Sequence, residues 1–366
     1  MLIVTARNAL QESYGSDGYA QIREALDAWA AVDGNRVVAV DDPADMQAMK
    51  LLPATGDPAD IQRVIRGAYQ LYPTIAQNIL LAGGPSILPF FSLTNPVEDR
   101  STDPDPAVLT DNPYGALADT SQEFLAPSLP VGRLAVPDGA GVNDFVALIE
   151  NFPHRANGPV AGQPGSALVV NQDWADYSRR VAQALPDPLI WHLAPGYEMN
   201  AATRQDAARS ILYFNLHGFI DDPDWKCYST VQKDFVPAVT PDALDRSSVA
   251  GALSFAECCY GAQIQGRSAD DSCALKLVRE GASFVGATGL AFGSYIASDL
   301  FLEDADFLAR AFFQGVGAGQ PIGSALSYAR KLYYNDSVEA RSGNVWQYKQ
   351  KTLLQFVLLG NPQTVH

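Results

Sequence analysis

Two places in this 366-residue chain carry residues suited to acyl transfer: His217, followed by Gly218, and Cys258, followed by Cys259, Tyr260 and Gly261. Each closes an apolar run, Ile211 to Leu216 before the histidine and Val249 to Ala256 before the cysteines. A cysteine nucleophile needs a neighbouring base or cation to favour its thiolate, and its tetrahedral intermediate needs donors for the oxyanion. Glycine after the histidine lets the backbone approach the reacting carbonyl and offer its amide. A lone buried cysteine is ordinarily a small inert hydrophobe, and a lone strand-end histidine is ordinarily just hydrogen-bonded. Here both close apolar strands before glycine turns, in a chain with only 4 His and 4 Cys. That coincidence points to a nucleophile and its acid–base partner.

Other uses of these residues fit poorly. The internal histidines His154, His192 and His217 and the cysteines Cys227, Cys258, Cys259 and Cys273 form no CxxC pairs, so no zinc or other metal site is expected. Four thiols, two of them adjacent, make no disulfide framework. Free thiols and no cofactor are the expectation.

The elements that must position the pair follow from hydropathy. Short apolar runs alternate with amphipathic segments, as in helices packed on mostly parallel sheets. Leu2 to Val4, Val37 to Val40 and Asn78 to Ala82 read as strands. Tyr19, Ile22, Leu26 and Trp29 form one helical face, and Asp57-Pro58 opens a helix bearing Ile61, Val64, Ala68 and Leu71. Ser92 to Pro130 reads as a long irregular excursion. The rhythm restarts after Pro153 to Gly165, with strands 167–171, 189–193, 211–216, 249–256, 283–287 and a final apolar run 353–359, and helices 175–185, 201–210, 271–280, 304–314 and 322–334. The reading is two tandem α/β/α sandwich subdomains, residues 1–155 and 156–366, with mostly parallel sheets. Functional groups in such sheets gather at the carboxyl ends of strands, and neighbouring strands about 5 Å apart bring two tips onto one carbonyl.

Composition sets the partner class. With 25 Lys plus Arg against 41 Asp plus Glu, the net charge of −16 lacks the basic footprint of a nucleic-acid binder. No run is long enough to span a membrane, and Met1 to Arg7 has neither a basic n-region nor an apolar h-region, so a cytoplasmic, unexported chain is expected.

At these residues the sequence resembles the catalytic module of gingipain-type cysteine peptidases, in the clan that holds caspases, legumain and clostripain. The shared pattern is an apolar block then His217-Gly218, and a second apolar block then Glu257-Cys258-Cys259-Tyr260-Gly261. Tyr69 to Pro85, Thr110-Asp-Asn-Pro-Tyr-Gly115, Val131-Gly132-Arg133 and Gly360-Asn361-Pro362 match further segments in order. The resemblance implies a caspase-like C-terminal subdomain and a Cys–His dyad cleaving peptide or protein substrates. Because the first half matches the gingipain group, the Cys-x-x-Gly spacing of gingipain and clostripain selects Cys258 as the expected nucleophile, with Cys259 turned from the cleft; the caspase spacing, Cys-x-Gly, gives Cys259 as the alternative. By the same resemblance the amides of Gly218 and Cys258 form the oxyanion hole.

The resemblance implies cleavage after Arg or Lys, selected by a buried carboxylate that the family carries in the loop after the first strand of the catalytic subdomain; here Asp173 and Asp176 are the candidates, although Asp173 equally suits a helix cap. Gln172 stands where the family often has a Glu assisting the histidine. Asp221 to Asp224 is acidic, as calcium loops are, but reads as a solvated loop. Lys226 and Lys233 are candidate self-cleavage sites. The resemblance further suggests a regulatory protein partner and a place in a bacterial proteolytic cascade. Two other classes stay open: a catalytically inactive peptidase-like scaffold and a cysteine-dependent amidohydrolase.

Overall fold

A computed structural model describes residues 1–151, 162–294, 302–336 and 343–366. His154 and the boundary expected after residue 155 lie outside the described residues. In chain order the strands are β1 (Leu2–Thr5), β2 (Arg36–Ala39), β3 (Ile79–Ala82), β4 (Phe91–Thr94), β5 (Ala107–Thr110), β6 (Val131–Leu134), β7 (Gln163–Asn171), β8 (Leu189–Ala194), β9 (Arg209–Asn215), β10 (Trp225–Ser229), β11 (Asp234–Val239), β12 (Leu253–Ala256), β13 (Ser283–Ala287) and β14 (Phe356–Leu359).

Ten of them form one sheet in the order β2-β1-β3-β6-β14-β13-β12-β9-β7-β8. Every neighbouring pair is parallel except β13 with β14. The chain is therefore α/β and mostly parallel, as its alternation of runs requires, and its two parallel blocks share a single sheet. The joint is β14, which comes from the end of the sequence and inserts at the centre. Helices cover both faces, which is why strands such as β1, β3 and β12 are buried at every residue and read as unbroken apolar runs.

The joint depends on close backbone approach. A Cβ added at Gly132 of β6 would stand 2.2 Å from the carbonyl oxygen of Gly360, just past β14. Beside it, Arg133 is fully buried; Nε and one terminal nitrogen grip Asp111 at 2.9 and 2.6 Å, and the other donates to the carbonyls of Gly83 and Leu88. Thr110 donates to the carbonyl of Leu354 at 2.6 Å, and Asn112 to that of Leu353 at 2.9 Å. The segments around residues 83, 110–115, 131–133 and 360–362 thus serve as joints, where every nitrogen of a buried guanidinium finds an acceptor.

Some elements differ from expectation. The helix expected over 201–210 is only a 3₁₀ turn, Arg204–Ala207, because β9 begins at Arg209 and extends the strand backward. The irregular excursion 92–130 contains the antiparallel pair β4–β5, and the polar stretch 220–248 contains β10–β11. In β10 the buried residues Trp225, Cys227 and Ser229 alternate with more open ones, a half-buried pattern too short to stand out from its polar flanks. Leu71, expected on a buried helical face, is exposed at the end of helix Pro58–Leu71. No described helix is long and apolar enough to cross a membrane.

Candidate active site

The carboxyl ends of β7, β9, β12 and β13 meet at one edge of the second block. His217 follows β9 by two residues. Its amide and carbonyl both pair with Lys226 of β10 at 2.8 Å, which fixes the His217-Gly218 backbone. The imidazole is half-buried between the rings of Trp174 and Phe235, at centroid distances of 4.3 and 4.9 Å. Its Nε2 lies 3.3 Å from Nδ2 of Asn171, the last residue of β7. With that amide donating, Nε2 is the acceptor and the neutral ring carries its proton on Nδ1. Burial lowers the imidazole's pKa below its ordinary value, partly opposed by the charge of Asp173, so the ring is neutral near pH 7.

Strand β12 sets the cysteines. Its register pairs Phe255 with Tyr213 and Ala256 with Phe214, and the amide of Glu257 continues the ladder to the carbonyl of Phe214 at 2.8 Å. Continued two residues, that register brings Cys259 level with His217. Because side chains alternate between faces, Glu257 and Cys259 share one face and Cys258 takes the other. Cys258 is fully buried within the apolar core beside Ala256 and Leu216, and burial pushes its thiol well above the ordinary range. Cys259 is partly exposed. Its Sγ accepts from the amide of Ala291 at 3.4 Å, and its thiol is also raised by burial, with Lys351 pulling the other way. The face expected for Cys259 is thus reversed: it lines the cleft, and Cys258 is sealed beneath. A Cβ on Gly218 would meet the carbonyl oxygen of Cys259 at 1.9 Å, so the His-Gly turn and the cysteine turn are in direct backbone contact.

The cleft holds about 210 Å³ and is lined by Trp174, Asn215, Glu257, Cys259, Phe292 and Asp306 among others. Two buried acids stand in it. Glu257 accepts from the Tyr213 hydroxyl at 2.6 Å, and Oδ2 of Asp306 accepts from the amide of Ser294 at 2.7 Å. Oδ1 of Asp306 has no donor among the described residues. Each bears on the protonation of the other. Burial raises both above the ordinary carboxylate range; the charge of Asp306 adds to the rise at Glu257, while the Ser294 bonds and Arg180 restrain that of Asp306.

The acids expected to select a basic side chain lie elsewhere. Asp176 has 84% of its side chain exposed and pairs with Arg179, one turn on in the same helix. Asp173 is exposed, and the turn there is capped by Asn171, whose Oδ1 accepts from the amide of Asp173 at 3.3 Å. Neither lines this cleft. Gln172 is also exposed, and the side chain against the histidine is its neighbour Asn171. In the acidic loop Lys226 pairs with Asp222, and no group of three His, Cys, Asp or Glu suited to a metal occurs among the described residues. Lys233 lies exposed in the turn between β10 and β11.

The chain as a whole has counterparts among known proteins. The model of peptidase family C25 matches residues 1–365. The chain belongs to peptidase family C25. As a C25 member it is a cysteine peptidase. Among solved structures, the Arg-specific cysteine proteinase gingipain R (RgpB) is 12% identical with a TM-score of 0.65, covering 99% of this chain and 77% of that one. A structure described as a protease gives 13% and 0.64, covering 100% and 78%. A complex of Porphyromonas gingivalis RgpB pro- and mature domains gives 13% and 0.63, covering 99% and 78%. At these identities the C25 chain and its neighbours share the fold. No curated protein matches the C25 chain.

Proposed function

We propose that this C25 peptidase cuts peptide bonds with Cys259 as nucleophile and His217 as its acid–base partner. The observation that carries the choice of cysteine is access: a substrate carbonyl entering the cleft can meet Cys259, whereas Cys258 lies under the sheet edge with no exposed surface. The thiol adds to the scissile carbonyl as its proton passes to His217. The amides of Gly218 and Cys259 receive the oxyanion, and the imidazolium then protonates the leaving amine as the thioester forms. Water, deprotonated by the now neutral His217, releases the acid product. Asn171 fixes the plane of the ring through its contact at Nε2.

The finer reading is cleavage after Arg or Lys, with Glu257 and Asp306 in place of Asp173 and Asp176 as the carboxylates that receive the basic side chain. Supporting it are their burial, the open Oδ1 of Asp306 and their place on the cysteine's side of the sheet. A regulatory partner is proposed by analogy with RgpB, for which a complex of pro- and mature domains is described.

The test is hydrolysis of fluorogenic peptides with Arg, Lys, Asp or Asn at P1 by wild type, Cys258→Ala and Cys259→Ala. Activity should fall to background in Cys259→Ala and persist in Cys258→Ala, which loses only about 1 kcal/mol of stability. The reverse pattern would return the nucleophile to Cys258.

A further inference from the structure

A cluster of buried charge outside the dyad ties the cleft to the first half of the chain. Lys351, in the helix Gly343–Gln355, is fully buried and pairs with two acids from the β4–β5 connection, Asp103 and, at 2.8 Å, Asp105. Asp103 is fully buried; one oxygen accepts from Lys351 and the other from the amide of Asp105 at 3.1 Å. Asp105 does more. Its Oδ1 accepts from the Tyr260 hydroxyl at 2.7 Å, and its Oδ2 accepts from the amide of Leu290 at 2.8 Å. Tyr260 follows Cys259 directly, and Leu290 precedes Ala291, whose amide donates to the Cys259 thiol. The two walls are also bonded to each other, the amide of Tyr260 to the carbonyl of Gly289 at 2.8 Å. Tyr260 has φ +54°, a left-handed conformation unfavourable for a bulky residue, so the turn that carries the cysteines is held there by its surroundings.

We propose that Asp105 is a positioning residue for the peptidase reaction: one carboxylate from the first half of the chain clamps both the cysteine turn and the opposing 289–291 wall, and so fixes Cys259 relative to His217. The idea rests on the cleft beside Cys259 being the peptidase site. Charge counting separates Asp105 from its neighbour. Either acid alone suffices to pair with Lys351, so Asp103→Asn and Asp105→Asn each leave the ammonium one partner. Only Asp105→Asn turns a donor toward the Tyr260 hydroxyl or the Leu290 amide and releases the two walls.

The experiment uses the full chain and a fluorogenic peptide cut by wild type, with kcat, KM, melting temperature and the pH dependence of iodoacetamide labelling at Cys259 in a Cys258→Ala background. Asp105→Asn is expected to lower kcat about 10- to 100-fold, as misplacement by a fraction of an ångström to an ångström does, with KM nearly unchanged. Asp103→Asn should lower the melting temperature and keep kcat. Tyr260→Phe should lower kcat by less, and the double variant by no more than Asp105→Asn alone, because both act through one tether. Labelling should move to lower pH in Asp105→Asn, since a negative charge that raises the thiol is gone while Lys351 remains; a retained melting temperature separates this from unfolding, which would also lower the pKa by exposing the thiol. Wild-type kcat in Asp105→Asn, or an equal loss in Asp103→Asn, overturns the proposal. Should Asp105→Asn fail to fold, Tyr260→Phe carries the test, and wild-type kcat there overturns it. Full activity in Cys259→Ala would instead overturn the reading of the site, a result independent of the Asp105 variants.

Discussion

Glu257 and Asp306 place two buried carboxyl groups in one cleft. With Tyr213 donating to one and Ser294 to the other, both have a pKa raised by burial above the ordinary carboxylate range. A guanidinium or ammonium entering the cleft would favour the charged form of both, so binding of a basic P1 side chain should be coupled to release of any proton they carry. The consequence is a pH signature. KM for a P1-Arg peptide should fall as pH rises through the pair's elevated pKa, while KM for a P1-Asn peptide stays flat. Arg180, which restrains the rise at Asp306, and Tyr213 are the other ionisable groups bearing on the pair. Glu257→Gln or Asp306→Asn should cost about 10- to 100-fold in kcat/KM for P1-Arg, the scale of a charge-assisted hydrogen bond, and remove the pH dependence. If both variants cut P1-Arg peptides as wild type does, the pair has no part in specificity.

At the scale of elements, the site depends on how two turns abut. The ladder between β9 and β12 continues into the residues beyond both strands, and the alternation of side chains then decides which of two adjacent cysteines faces the cleft. The turns touch through Gly218 and the carbonyl of Cys259, with no room for a Cβ. Gly218→Ala must therefore push the cysteine turn away from the histidine. We expect kcat/KM to fall by about 10²-fold, with far-UV circular dichroism and iodoacetamide labelling retained. Unchanged turnover in a folded Gly218→Ala would mean that the two turns need not touch during catalysis.

At the scale of the whole molecule, the halves depend on the joint at β6 and β14. Arg133 and Asp111 are buried together there, and removing one partner strands the other charge out of water. Asp111→Ala should lower the unfolding free energy by about 3–5 kcal/mol, measured by denaturant titration, a loss far above that of an exposed pair such as Arg179 with Asp176. A cost below 1 kcal/mol would show that the joint does not depend on this pair. Much of this was readable in the chain itself. Unbroken apolar runs revealed buried parallel strands, and His217-Gly218 with Cys258-Cys259 marked the chemistry, because residue type and spacing alone carry those signals. Short half-buried strands such as β10 gave too weak a period, and the sealed face of Cys258 depended on strand register. The sequence by itself determined an α/β chain with a thiol and an imidazole at strand ends. Only the tertiary structure decided that Cys259 faces the cleft, that Glu257 and Asp306 rather than Asp173 and Asp176 stand in it, and that Asp105 reaches it from 155 residues away. The physical reason is that local pattern fixes which residues can be buried, whereas burial beside a particular partner is set by segments that meet only when the sheet closes.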